Sequence, residues 1–271
     1  MIVPRLIHLT LAFALCGVLG FSVIAADGAT TPASPSAELD KDFAAWKATL
    51  SPEQQAWETI LEHNLGKTNR LIYERAKVAG QETEYDYTKD DPKLPRVLLI
   101  GDSISCGYTL PVRRALAGIA NVHRAPENCG TTENGVKKLS VWLDDGKWDV
   151  IHFNFGIHDR RTPIADYEQR LDEITTRLVA TGAKIIWAST TPIPADTTDG
   201  PTMPEAIVER NAAASDVMHK HQIPTDDLFG AITPVVEKMR NPQDAHYNPE
   251  GYEFLGQQVA RTIKSSLAKN D

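Results

Sequence analysis

A serine hydroxyl becomes a nucleophile only when a neighbouring base takes its proton. Ser103 is placed for such a role. It closes the run Arg96-Val97-Leu98-Leu99-Ile100-Gly101-Asp102-Ser103, in which a short apolar segment ends in a glycine. A strand running into a sharp turn would lift the hydroxyl above the edge of a sheet. A base stands near the other end of the chain, in Asp244-Ala245-His246-Tyr247-Asn248-Pro249-Glu250-Gly251-Tyr252. Imidazole can shuttle the proton, and a carboxylate beside it fixes the tautomer and stabilises the imidazolium. Asp244 lies two residues before His246. The developing oxyanion needs donors. Asn128-Cys129-Gly130 can offer the Gly130 N–H, and Asn154-Phe155-Gly156-Ile157-His158-Asp159 can offer a side-chain donor.

These segments are far apart in sequence, so a fold must gather them. From residue 95 onward, short apolar runs alternate with amphipathic stretches. Strands are predicted at 96–100, 121–125, 148–155, 184–189 and 223–228. Helices are predicted at 112–119, 135–144, 165–180, 204–221 and 250–267. This alternation predicts a parallel sheet covered on both faces. Ligands bind such sheets at the carboxyl ends of the strands. Ser103, the Gly130 loop and the His158 loop all fall there, and residues 192–203 form an insertion-like loop at the same rim.

The chain of 271 residues carries a net charge of −8, with 42% hydrophobic and 24% charged residues. Composition is that of a globular protein. The acidic balance argues against a nucleic-acid partner. Three cysteines exclude a disulfide-built scaffold. His152, His158 and Asp159 match no zinc spacing, so no metal is expected, and no G-x-G-x-x-G follows the first strand. The five tryptophans fall in helical or strand patterns and read as core. The first 25 residues combine Arg5 with an apolar stretch ending in Val23-Ile24-Ala25-Ala26, the pattern of a secretory signal peptide. The alternative is an uncleaved anchor. Residues 26–37 read as a linker, and residues 38–94 as a helical extension packed on the main domain at 95–271.

Together these motifs resemble the SGNH, or GDSL-type, serine hydrolases. The resemblance covers about residues 95–267. It rests on Gly101-Asp102-Ser103 after the first strand, the glycine loop at Gly130, Gly156-x-x-Asp159 after the third, and His246-x-Asn248-x-x-Gly251-Tyr252. It implies a flavodoxin-like three-layer α/β/α sandwich with a parallel sheet of about five strands. It puts the nucleophile at Ser103, the base at His246, and oxyanion donors at the Ser103 and Gly130 N–H groups. Two positions depart from the pattern. Where the family has Gly-x-Asn-Asp, a histidine stands at 158. The family's acid stands three residues before its histidine, at the place of Gln243, whereas Asp244 is two before.

The resemblance implies a serine esterase that needs no cofactor. The expected substrate is a small-molecule or polysaccharide ester, most simply an O-acetyl group on a carbohydrate, with secreted or periplasmic localisation and no stable membrane insertion after cleavage. A non-catalytic glycan-binding protein, and an esterase or lipase of other acyl esters, are the alternatives. His158 is expected to replace the missing asparagine as oxyanion donor, with Asn154 close by. Asp244 is expected to orient His246 from an extended segment. Cys106 and Cys129, the two cysteines left after signal cleavage, are expected to pair as a disulfide that pins the nucleophile turn to the Gly130 loop.

Overall fold

The computed structural model describes residues 35–144, 147–197, 200–201 and 204–268. The signal segment and most of the linker lie outside the described residues.

Five parallel strands form the central sheet. They are β1 (Arg96–Ile100), β2 (Asn121–Arg124), β3 (Val150–Phe153), β4 (Lys184–Ala188) and β7 (Thr225–Asp226). Their spatial order is β2-β1-β3-β4-β7. Strand order reverses between β1 and β3, which makes their carboxyl ends the crevice of the sheet. Both faces are buried, as continuous apolar strands require. Leu98 and Ile100 face a core with Ile151, Phe153, Ile185 and Trp187. Over that face lie α5 (Thr132–Leu143), α6 (Ile164–Val179) and α7 (Pro204–His221). Val97 and Leu99 face the opposite core, with Val122, Val150 and Ile186. There the cover is α4 (Ser103–Ala115), α10 (Pro249–Ala268) and the short helices α8 (Leu228–Ile232) and α9 (Val236–Met239). This is the expected α/β/α sandwich.

Two glycines set the packing that matters for chemistry. A Cβ on Gly256 of α10 would fall 2.3 Å from Pro111 Cβ of α4, and one on Gly107 of α4 would fall 2.1 Å from the Tyr252 ring. Helices α4 and α10 therefore approach closely. One opens at Ser103 and the other opens just after His246.

Helix α4 begins at Ser103, well before the expected position 112. Asp102 caps it by accepting Ile104 N–H at 2.9 Å. The expected strand at 223–228 shortens to two residues. The loop at 192–203 carries a two-strand antiparallel pair, β5 (Asp196–Thr197) and β6 (Gly200–Pro201).

The N-terminal segment forms three helices, α1 (Pro35–Lys47), α2 (Pro52–Asn64) and α3 (Gly66–Val78). Residues 35–37, read as linker, belong to α1. The Ser51/Gln54 capping box at α2 is present in both directions. Phe43, Leu61, Leu65, Tyr73 and Tyr85 form a small core of their own. Arg113 of α4 ties this layer to the sandwich by donating to Asp86 O at 3.1 Å and Val122 O at 3.1 Å. Among the described residues, no helix is long and apolar enough to cross a membrane.

Candidate active site

Strand β1 delivers the chain to Gly101 and Asp102, and Ser103 is the first residue of α4. The amides of a helix's first turn have no intrahelical acceptor. Asp102 satisfies Ile104 N–H, and the Ser103 N–H is another of these first-turn amides. His246 comes from residues 240–248, a tight loop closed by Asn241 N–H to His246 O at 2.9 Å and Asn248 N–H to Met239 O at 2.8 Å. Its Nε2 is 2.8 Å from Ser103 Oγ. Its Nδ1 is 2.7 Å from Asp244 Oδ1.

The same Asp244 Oδ1 also accepts the His246 backbone N–H at 3.1 Å. An aspartate accepting the amide two residues ahead is an Asx turn. Gln243, just before it, holds φ +56. The segment is thus a turn and not the extended stretch expected, and that turn lets an acid two residues away reach the imidazole. Burial pushes the Asp244 carboxyl up, but the hydrogen bonds from His246 outweigh it and hold it below the usual carboxylate range.

The Gly130 loop is tied to the nucleophile turn through its backbone. Cys129 N–H donates to Gly101 O at 3.1 Å. Gly130 takes φ +63, a region open to glycine. Its N–H donates to Asn128 Oδ1 at 3.2 Å. Asn134 Nδ2 holds the loop from α5 by donating to Cys129 O at 3.0 Å.

After β3, Ile157–Asp159 forms a 3-10 turn with His158 exposed at the rim. Asp159 is fully buried below it. Its carboxylate accepts Thr132 N–H at 2.8 Å, Thr132 Oγ1 at 2.8 Å and Thr162 Oγ1 at 3.1 Å. Asn154, expected beside His158 as an oxyanion donor, points its amide into the sheet. Its Nδ2 donates to Ala188 O at 2.7 Å and Thr190 Oγ1 at 3.0 Å, so both amide hydrogens are committed between β3 and β4. Ala188 O can only accept, which fixes that orientation of the amide.

The disulfide expectation is also corrected. Cys106 and Cys129 are both free thiols. Their sulfurs face different cores. Cys106 packs against the helical extension, with Sγ 3.2 Å from Tyr85 Oη. Cys129 is buried in the sandwich core beside Leu139 and Phe155. A bond needs sulfurs about 2.05 Å apart with both Cβ vectors converging.

Two supporting residues escaped the sequence reading. Arg124, at the end of β2, is buried under the nucleophile turn. Its guanidinium donates to Gly101 O at 2.9 Å and Ser105 Oγ at 2.7 Å. Arg210 of α7 donates to Asp159 O at 3.1 Å and to Thr162 O, bracing the turn that carries His158. In sequence, each is one ordinary arginine in a strand or helix.

A serine at a helix start, hydrogen-bonded to an imidazole above the switch point of the β2-β1-β3-β4-β7 parallel sheet, defines a serine ester hydrolase of the SGNH type. The chain belongs to the GDSL-like lipase/acylhydrolase family, whose model matches residues 99–254. Solved structures share the fold. A lipase/acylhydrolase from Enterococcus faecalis is 24% identical with TM-score 0.57, over 63% of this chain and 96% of that one. A catalytic mutant of an acetylxylan esterase from Geobacillus stearothermophilus is 15% identical with TM-score 0.54, over 62% and 94%. Another acetyl xylan esterase is 13% identical with TM-score 0.54, over 62% and 99%. No curated protein matches the chain.

Proposed function

We propose that Ser103 forms an acyl-enzyme and that the substrate is a carbohydrate O-acyl ester, O-acetyl being the simplest case. The observation that carries this reading is the continuous hydrogen-bonded series Ser103 Oγ, His246 Nε2, His246 Nδ1, Asp244 Oδ1, with links of 2.8 and 2.7 Å. His246 takes the serine proton as Oγ bonds to the ester carbonyl carbon. It then returns that proton to the departing alcohol oxygen. Water, deprotonated by His246, releases the acid and restores Ser103. Asp244 holds the imidazole with Nδ1 protonated and Nε2 free to accept. The Ser103 N–H, the Gly130 N–H and His158 stabilise the oxyanion. A full negative charge draws the Gly130 N–H away from the neutral Asn128 amide oxygen, because charge-assisted hydrogen bonds are the stronger ones.

The carbohydrate part rests on access. The His246 and Asp244 side chains are 44% and 46% exposed, so the side from which the alcohol departs is open to a bulky group. Two solved neighbours carry the name acetylxylan esterase, which fits this reading. The apolar segment at residues 1–25, read from its pattern as a signal peptide, fits action outside the cytoplasm. A glycan-binding protein without catalysis would have no use for the aligned series.

The test is hydrolysis of p-nitrophenyl acetate and of acetylated xylo-oligosaccharides. Wild type should turn over both, and Ser103→Ala should lose on the order of 10⁶ in kcat. Equal activity in Ser103→Ala would overturn the mechanism. Hydrolysis of the nitrophenyl ester alone would overturn the carbohydrate part.

A further inference from the structure

A pocket of about 300 Å³ opens beside Ser103, and its far wall is built by the N-terminal extension. From the extension come Ile72, Tyr73 and Ala76 of α3 and Tyr85 of the following loop. Opposite them, Ser103 and Cys106 present one face of α4, and Asn128 closes the edge toward the Gly130 loop. The wall is fixed in place. The Trp57 indole N–H holds Tyr85 O at 2.7 Å, and Tyr85 Oη meets Cys106 Sγ at 3.2 Å.

The geometry of acyl transfer says which half of the substrate this pocket takes. The tetrahedral carbon on Ser103 Oγ carries three other groups: the oxyanion, the alcohol oxygen and the acyl chain. The alcohol oxygen must receive its proton from His246 Nε2, and the oxyanion must face the Gly130 and His158 donors. None of His246, Gly130 and His158 lines the pocket. The acyl chain is the group left to enter it. We propose that the helical extension is the acyl-binding wall of the enzyme, and that it favours uncharged acyl groups larger than acetyl, with acetyl esters still turned over but more slowly. This rests on the Ser103 acyl-enzyme proposed above and concerns only the acid half of the ester.

Size and lining set the class. A methyl group is about the size of a water molecule, roughly 30 Å³. Acetyl would leave most of the pocket unfilled. The rings of Tyr73 and Tyr85 and the Ile72 and Ala76 side chains suit a short alkyl or an aromatic acyl group, and Asn69 and Thr83 add neutral polar atoms. Glu84, which also lines the pocket, repels a carboxylated group. Each methylene buried there should raise kcat/KM about fourfold until the pocket is full.

The test is a p-nitrophenyl ester series from acetate to octanoate, in which the leaving group never changes. The hexanoate-to-acetate ratio of kcat/KM should exceed one in wild type. It should fall more than threefold in Ala76→Phe, which fills the pocket, and shift by more than threefold in Ile72→Ala, which removes wall from an exposed position. Thermal unfolding confirms that each variant is folded. A wild-type preference for acetate, or ratios within threefold of wild type in both variants, would overturn the proposal while leaving the serine mechanism standing. Absence of hydrolysis with every ester would instead remove the acyl-enzyme reading itself.

Discussion

Asp244 Oδ1 accepts two hydrogen bonds from His246, one from its backbone N–H at 3.1 Å and one from Nδ1 at 2.7 Å. One oxygen thus builds the turn and orients the His246 imidazole. Asparagine forms the same turn but lacks the charge that fixes the imidazole tautomer. Asp244→Asn should therefore lower kcat by up to about 10⁴ while moving the melting temperature little. Turnover close to wild type would reduce the site to a Ser103–His246 pair.

His158 stands where the family pattern has asparagine. Removing one oxyanion donor typically costs about 10²–10³ in kcat. His158→Ala should show that loss, and His158→Asn should recover most of it, with KM for a nitrophenyl ester changing less than kcat. A loss within about threefold in His158→Ala would remove this residue from the oxyanion hole.

The turn beneath His158 depends on Asp159, whose buried carboxylate accepts three hydrogen bonds from Thr132 and Thr162. Asp159→Ala strands the two Thr132 donors, the backbone N–H and Oγ1, away from water. Denaturant unfolding should show destabilisation of about 3 kcal/mol, since each buried donor left unpaired costs about 1–3 kcal/mol. A change under about 0.5 kcal/mol would mean that water or a rearranged side chain replaces the carboxylate.

Much of the sandwich was legible because its periods are strong. The buried runs at 96–100 and 184–188 and the apolar stripe of α6 leave little choice of element. Ser103 and His246 were legible as chemistry because a strand end and a helix start flank them. The first turn of α4 was not, since Ser103-Ile104-Ser105-Cys106-Gly107 has weak helix propensity. The turn exists through the Asp102 cap and the close fit of Gly107 against Tyr252, both tertiary facts. The cysteines show the same limit. Proximity of two loops suggested a bridge, but which core each sulfur faces depends on an extension whose docking no local pattern announces. Asn154 looked free because its partners, Ala188 and Thr190, lie on the neighbouring strand and its continuation.

On the face of the sheet covered by α10, Asp226 and His152 form a buried pair at 3.2 Å, and Gln258 and Thr262 of α10 donate to the same aspartate. Burial pushes the Asp226 carboxyl up, but these hydrogen bonds outweigh it and hold it below the usual range. A carboxyl lowered on folding contributes stability that is fully present above its unfolded pKa of about 4 and is lost as pH falls through the folded value. The stability gap between wild type and Asp226→Asn, measured by urea unfolding, should shrink as pH falls below about 4. A gap that stays level on acidification would contradict the lowered carboxyl.

The central claim is that Ser103 is the group acylated in turnover. A serine-directed fluorophosphonate, followed by mass analysis of the digested protein, tests it most directly. The account predicts one adduct, on the peptide carrying Ser103, with hydrolysis lost in step with labelling and no adduct in Ser103→Ala. Stoichiometric labelling elsewhere, or full ester hydrolysis by protein whose Ser103 is already modified, would contradict it.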